Sequence, residues 1–384
     1  MKRMGILMLV FFFCLSLTAW PQAQAQWAPK IITVDAPGAG TGPGQGTEAP
    51  GINWSGEVAG FYADTNNVVH SFLRTPEGRY ITFDAPGAGN QNVAGFQPTP
   101  AGYFGQGTYA IAVNDEGSIA GFYYDENDVG HGFLRTPEGK FKIFDYWQAG
   151  TGAGQGTFGA NISPTGEIAG YYVDAGNVTH GLLRTPNGKL IPFDAPQAGT
   201  GAGQGTFPEW ASCINPAGAV TGFYADASNV AHGFLRTADG IITEFDVQGA
   251  GASAGQGTYS WSIDAAGSVT ADYVDVDNVD HGYVRAPDSH ITRFDISGAG
   301  TAEYQGTVPE GISAGVVIGN YIDASGLNHA FVRSPWGKIT EFNIKGAGTG
   351  SGQGVIPLTN NQAGAITGVY FDSGNVIHSF LLIP

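Results

Sequence analysis

Cysteine is almost absent: Cys14 and Cys213 are the only two in 384 residues. That excludes a disulfide framework and every Cys-x-x-Cys or Cys/His metal spacing. Charge is scarce as well, 13% of residues against an ordinary ~25%. It leans one way: 16 basic and 33 acidic residues give −17, which argues against nucleic acid and anionic membrane surfaces as partners. Helical periodicity is missing after residue 25. The one long apolar run, 4–20, is short for a bilayer span, follows the basic start Met1-Lys2-Arg3 and precedes Ala23-Gln24-Ala25. Residues 1–25 therefore read as a signal peptide. The expectation is a secreted chain, extracellular or periplasmic, with no membrane span after cleavage and Cys213 as its single thiol.

Glycine, by contrast, is abundant at 61 residues, yet 42% hydrophobic and 12% aromatic residues are enough for a large core, so the chain is not disordered. The glycines belong to a repeat. Seven histidines, His70, His131, His180, His232, His281, His329 and His378, recur at intervals of 48 to 61 residues. Six residues before each stands an aspartate (Asp64, Asp125, Asp174, Asp226, Asp275, Asp323, Asp372), and two before that a tyrosine. Four after each histidine is an arginine, replaced by Leu382 in the last copy. Ten further on comes Phe-Asp, supplying Asp84, Asp145, Asp194, Asp246 and Asp295, with Asn343 in place of the acid in the sixth copy.

Each copy reads as four short strands. In the third, residues 157–162, 167–174, 179–184 and 189–194 are separated by Ser163-Pro164-Thr165-Gly166, by Ala175-Gly176-Asn177 and by Thr185-Pro186-Asn187-Gly188. Three before each histidine stands Asn, Asp or Gly, the types that tolerate positive φ. Four antiparallel strands in about 49 residues is the spacing of a propeller blade. The fold class expected is all-β, a seven-bladed β-propeller with blades at about 45–84, 106–145, 155–194, 204–246, 256–295, 305–343, and 353–384 plus 30–35, forming one domain over 26–384. The last copy stops after three strands, and Lys30-Ile31-Ile32-Thr33-Val34-Asp35 matches the missing fourth. The two termini are thus expected to complete one blade and close the ring, leaving no open edge.

The segments His329-Ala330-Phe331, His232-Gly233-Phe234 and His70-Ser71-Phe72 resemble the HAF family of probable extracellular repeats. The resemblance covers residues 30–384 and implies a bacterial secreted or envelope location, with no defined reaction.

The repeat places Asp, His and Asp near one rim of every blade. Two carboxylates and an imidazole can ligate a metal or shuttle protons, and the acidic rim admits calcium. Alternatively the acids cap the loop and lock the hairpin. Seven identical copies favour the lock, because catalysis needs one asymmetric constellation. The arginine is expected to form an ion pair or support a turn. Between blades, Gln45, Gln106, Gln155, Gln204, Gln256, Gln305 and Gln353 are candidate donors to sugar hydroxyls, or else satisfy loop backbone. Departures from the repeat, namely Phe96, Tyr103, Trp147, Trp210 and Tyr304, are candidate sugar-stacking residues on the loop-rich face. The preferred function is a monomeric, non-catalytic recognition protein for polysaccharide or an envelope component, requiring no cofactor. The alternatives are a carbohydrate-active hydrolase or lyase using acids such as Glu209 or Glu303, and a protein-interaction scaffold.

Overall fold

The computed structural model describes residues 29–91, 105–208 and 212–384. The expected signal peptide and the aromatics Phe96, Tyr103 and Trp210, with Glu209, lie outside the described residues. The fold is all-β: twenty-nine strands and no helix are described.

The strands fall into antiparallel meanders, numbered here as units one to seven in chain order. Unit three runs Gly156–Ile162, Ile168–Val173, Thr179–Arg184 and Leu190–Phe193. The turns follow from local chemistry. Asn67, Asp128, Asn177, Asn229, Asn278 and Asn375 all sit at φ between 58 and 61°, where Asn and Asp are the least penalised side chains. Consecutive units are joined by parallel pairing of a third strand with the glycine opening the next unit's innermost strand, for example Val69 with Gly107 and Ile377 with Gly46. Only glycine fits there. A Cβ on Gly46 would lie 1.9 Å from the Ile377 carbonyl oxygen, and φ is 127°.

These joints make a closed circuit of 21 strands, with the outermost strands paired on its periphery. At the turn end, asparagine side chains link several neighbouring units. Asn53 Nδ2 donates to the Asn114 carbonyl (3.0 Å), Asn114 to that of Ser163 (3.3 Å), and Asn215 to that of Asp264 (3.2 Å). Asn361 links the last unit to the first by donating to the Asn53 carbonyl at 2.8 Å. The core lies between units: Phe72, Phe133, Phe234, Phe331 and Phe380 occupy one repeat position and are all fully buried. The serines after His70 and His378 add buried bonds to the neighbouring innermost strand, Ser71 to the Thr108 carbonyl and Ser379 to that of Thr47.

The repeat arginines correct one expectation. Among the described residues none pairs with a carboxylate; every ion pair joins His to Asp. Instead Arg135, Arg184, Arg236, Arg285 and Arg333 lie 4.4 to 5.3 Å over Phe83, Phe144, Phe193, Phe245 and Phe294 of the preceding unit. Arg74, Arg184 and Arg236 also donate to the carbonyls of Thr75, Thr185 and Thr237 in the adjoining turn, so the turn-supporting half of the expectation stands.

The terminal strands meet as the repeat requires. Lys30–Thr33 pairs antiparallel with Ile377–Ile383, Val34 N donates to the Ser379 carbonyl at 2.7 Å, and His378 Nδ1 lies 2.9 Å from Asp35. Val34 is fully buried, so Val34→Asp should strip this strand from its partner by burying an unpaired charge. The expected outcome is a thermal midpoint lowered by several degrees together with self-association through the bared edge of Ile377–Ile383, read by calorimetry and light scattering. Unchanged values in both would contradict closure through this strand.

Candidate functional site

The rim constellation is built from the loop upward. Asp64 Oδ1 accepts from the backbone N–H groups of Asn66 (2.8 Å) and Val68 (2.9 Å), fixing the loop between the second and third strands. Its other oxygen faces His70 Nε2 at 3.8 Å, while His70 Nδ1 lies 2.9 Å from Asp84. The Nδ1 contact recurs at 2.8 to 3.1 Å with Asp145, Asp194, Asp246, Asp295 and Asp35. Unit six is the exception. Asn343 turns its own Oδ1 to the Ile344 N–H, and His329 leans on Asp323 at 3.0 Å. Each imidazole also lies against the repeat tyrosine; in units two to seven the ring centroids are 4.6 to 5.0 Å apart.

Bonds to Asp84, Asp145 and Asp194 raise the pKa values of His70, His131 and His180. For Asp125, Asp174, Asp226, Asp275 and Asp372, burial pushes upward but the loop N–H groups and the histidine outweigh it and hold the carboxyl low. Such groups are occupied with one another. Among the described residues no cluster of three or more His, Cys, Asp or Glu is placed to hold a metal ion.

The glutamines are occupied too. Gln45 Oε1 accepts from Gly42 N (2.9 Å) and its Nε2 donates to Asn67 Oδ1 (2.8 Å), tying the inter-unit loop to the hairpin loop of the same unit. Gln106, Gln155, Gln204, Gln256 and Gln353 repeat both bonds, and Gln305, facing Gly326 rather than Asn, keeps only the first, to Ala302 N. Of the two roles read for them, loop closure is the one the hydrogen bonds fill, and none is an exposed residue.

The departures from the repeat behave differently. Trp147 is 81% exposed, next to Tyr146, which packs 4.6 Å from Tyr172. Tyr304 is 74% exposed at φ 61°, where five other units place a left-handed glycine. Its neighbour Glu303 accepts from Asn278 Nδ2 at 3.2 Å. On the outer flank of unit five a groove of about 650 Å³ passes Tyr273, His281, Arg293 and Asp295 down to His290.

The groups that sequence reasoning missed lie around the axis. Between units one and two, Phe61, Val69, Tyr109 and Ile111 form an apolar seam. The same four repeat positions between units five and six hold Asp272, Asp280, Val308 and Glu310. Asp272 accepts from Trp261 Nε1 at 2.7 Å, and among the described residues no cation pairs with any of the three acids. Burial, then the Asp272 charge, pushes Glu310 up to about 8; burial and the Asp272 and Asp275 charges raise Asp280; burial raises Asp272. Glu48, on the innermost strand of unit one, is pushed by burial to about 7. The signal was in the sequence for Asp272, whose position holds Phe61, Phe122, Tyr171 and Phe223 in units one to four, and for Glu48, whose position holds Tyr109, Phe158, Phe207, Tyr259, Val308 and Ile356 in the others.

The two sets of shifts act in one direction above mild acidity. A histidine whose pKa is raised by folding contributes stability below its unfolded value, lost as pH rises through the folded one. A carboxyl raised by folding disfavours the fold increasingly between its unfolded value, about 4, and its folded value. The lowered aspartates contribute above about 4 and lose that contribution on acidification. The thermal midpoint should therefore peak between about pH 4 and 6 and fall toward pH 8. Glu310→Gln should flatten that fall while Asp239→Asn, in an exposed turn, should not. A midpoint that rises steadily to pH 8 would refute the assignment.

No protein family matches the chain and no curated protein does. Solved structures do match. The BP39L lectin from Burkholderia pseudomallei aligns at TM-score 0.50 and 10% identity, over 92% of this chain and 95% of that one. A mutant of AofleA from Arthrobotrys oligospora aligns at TM-score 0.39 and 11% identity, over 93% and 92% of the two chains. A puromycin hydrolase mutant complexed with PGG aligns at 0.46 and 12%, over 86% of this chain and 53% of that one. At these identities the likeness to the BP39L lectin is one of fold.

Proposed function

We propose that the chain is an exported seven-bladed β-propeller of the HAF type that binds glycan or envelope polymer at its loop rim without catalysis. Four strands per unit, seven units in a closed circuit and the strand contributed by residues 30–33 support the propeller. The observation that carries the function is Trp147, a large aromatic surface held bare on a rim whose repeated polar groups are otherwise engaged. An exposed indole two residues from Asp145, whose carboxylate bonds His131 yet stays half exposed, suits a sugar ring, which offers C–H groups to the aromatic and hydroxyls to the acid. Tyr304 offers a second such face. A lectin of similar fold is consistent with this reading.

The rim carries Asp64, Asp84 and their counterparts in the other units, whereas most Arg and Lys side chains stand at the opposite, turn end. The polymer recognised is accordingly neutral rather than acidic. Weak sites on several units would add through multivalency. Hydrolysis is the second reading, favoured by Glu48 and Glu310, whose raised values suit acid–base work near neutrality.

The test is co-sedimentation with cellulose, chitin and xylan, alongside depletion by soluble alginate. Retention on a neutral polymer, at least tenfold weaker in Trp147→Ala with an unchanged melting curve, is the expected result. Retention on alginate alone, or indifference to the tryptophan, would defeat the rim assignment, and new reducing ends would establish the hydrolytic reading instead.

A further inference from the structure

The turn end of the axis holds a cavity of about 160 Å³ to which all seven units contribute. We propose that this cavity is a separate, single binding pocket for one neutral sugar residue or a polyol of that size. Its volume is roughly that of five waters at ~30 Å³ each, well short of the ~300 Å³ at which sites for drug-sized ligands begin.

The wall mixes two chemistries. An aliphatic collar of Ile52, Val113, Ile162, Ile214, Ile263 and Ile312 comes from units one to six. Polar side chains stand among it: Asn161, Ser212, Ser313, Thr359 and Asn360. Where the residue before the turn cap is Ile52, Val113, Ile162, Ile214 or Ile263 in other units, unit seven carries Asn360. Two residues before the cap, Gly51 and Ala112 give way to Asn161 and Thr359. Aliphatic side chains interspersed with hydroxyls and amides suit a pyranose, whose ring presents C–H bonds on a face and hydroxyls at its edge.

The pocket has a floor. Ser212 Oγ and Thr359 Oγ1 meet at 3.1 Å, joining units four and seven across the axis. Asn360 Nδ2 donates to the Val316 carbonyl at 3.1 Å, and among the described residues its Oδ1 accepts no hydrogen bond. The one charged group at the wall is already engaged: Asp264 accepts from the N–H groups of Ala266, Ser268 and Gly315. Asn215 is engaged as well, through Ala217, Ala219 and the Asp264 carbonyl. What remains for a ligand is uncharged, and so is the ligand.

This pocket is distinct from the rim in number as well as place: one per chain, against several. Isothermal titration of the full chain with glucose, galactose, mannose, N-acetylglucosamine and arabinose reads that number. The expected result is one site per chain for at least one sugar, weakened at least tenfold by Asn360→Leu and by the isosteric Thr359→Val, and untouched by Trp147→Ala. Thr359→Val keeps the shape of the side chain and so guards against a folding failure of the leucine variant. Absence of heat with every sugar overturns the pocket. So does a stoichiometry above one, or binding indifferent to both axial variants; in those cases rim recognition of polymer, read by sedimentation and Trp147→Ala, is judged separately.

Discussion

The ladder between Lys30–Thr33 and Ile377–Ile383 is the contact on which the ring depends. Every other unit makes its four strands from neighbouring residues, through hairpins that cost little loop entropy. Unit seven borrows its outer strand from the far end of the chain. Without it, the last sheet has three strands and an unpaired edge. Among the described residues no disulfide holds the termini, and Cys213, the one cysteine there, is buried. Packing and hydrogen bonding therefore carry the closure: Val34 inside the core, Asp35 on His378, and, at the other end of the sheets, Asn361 on the Asn53 carbonyl. Each such bond contributes about 1 kcal/mol net.

Most polar repetition in this protein is maintenance of that ring. The glutamine amides hold inter-unit loops to hairpin loops, the first aspartate caps a hairpin, and the histidine ties that hairpin to the outer strand. The arginines show why a repeat cannot be assigned a role from residue type alone. A buried guanidinium without a carboxylate loses hydration that an ion pair would partly restore. Here the phenylalanine of the preceding unit and the turn carbonyls offset the loss, and a cation–π contact of this kind contributes about 0.5–2 kcal/mol.

Much of this was legible before any coordinates. The turns were readable because Asn at the left-handed position and Gly after Ser-Pro-Thr are statements about backbone angles. The closing strand was readable because residues 30–35 match a segment absent at the other end. The arginine contact was not, because the ring it covers belongs to the unit before it and only packing brings them together. The glutamines stayed open for a similar reason: Gln45 and Asn67 are 22 residues apart, and their meeting depends on how the inter-unit loop folds over the hairpin. Glu48, Asp272, Asp280 and Glu310 were visible as letters. That they face the axis or a seam needed the alternation of each strand and the direction of its neighbour.

Those acids bear on where individuality resides in a sevenfold scaffold. Phe61, Val69, Tyr109 and Ile111 demonstrate that an apolar seam packs well at these positions. Replacing its equivalents with Asp272, Asp280 and Glu310 removes apolar contact and adds carboxyls that must keep their protons or lose hydration, a destabilisation on the order of several kcal/mol. Stability does not account for that choice, whereas the rim glutamines and histidines are accounted for by stability alone. The outer surface therefore repeats because the ring needs sound joints, and the chain departs from the repeat in a few places. Those places are the axis, one seam, and the loop positions of Trp147 and Tyr304. In a repeat protein of this kind, a residue that breaks the pattern at a structural cost points to function more directly than one that keeps it.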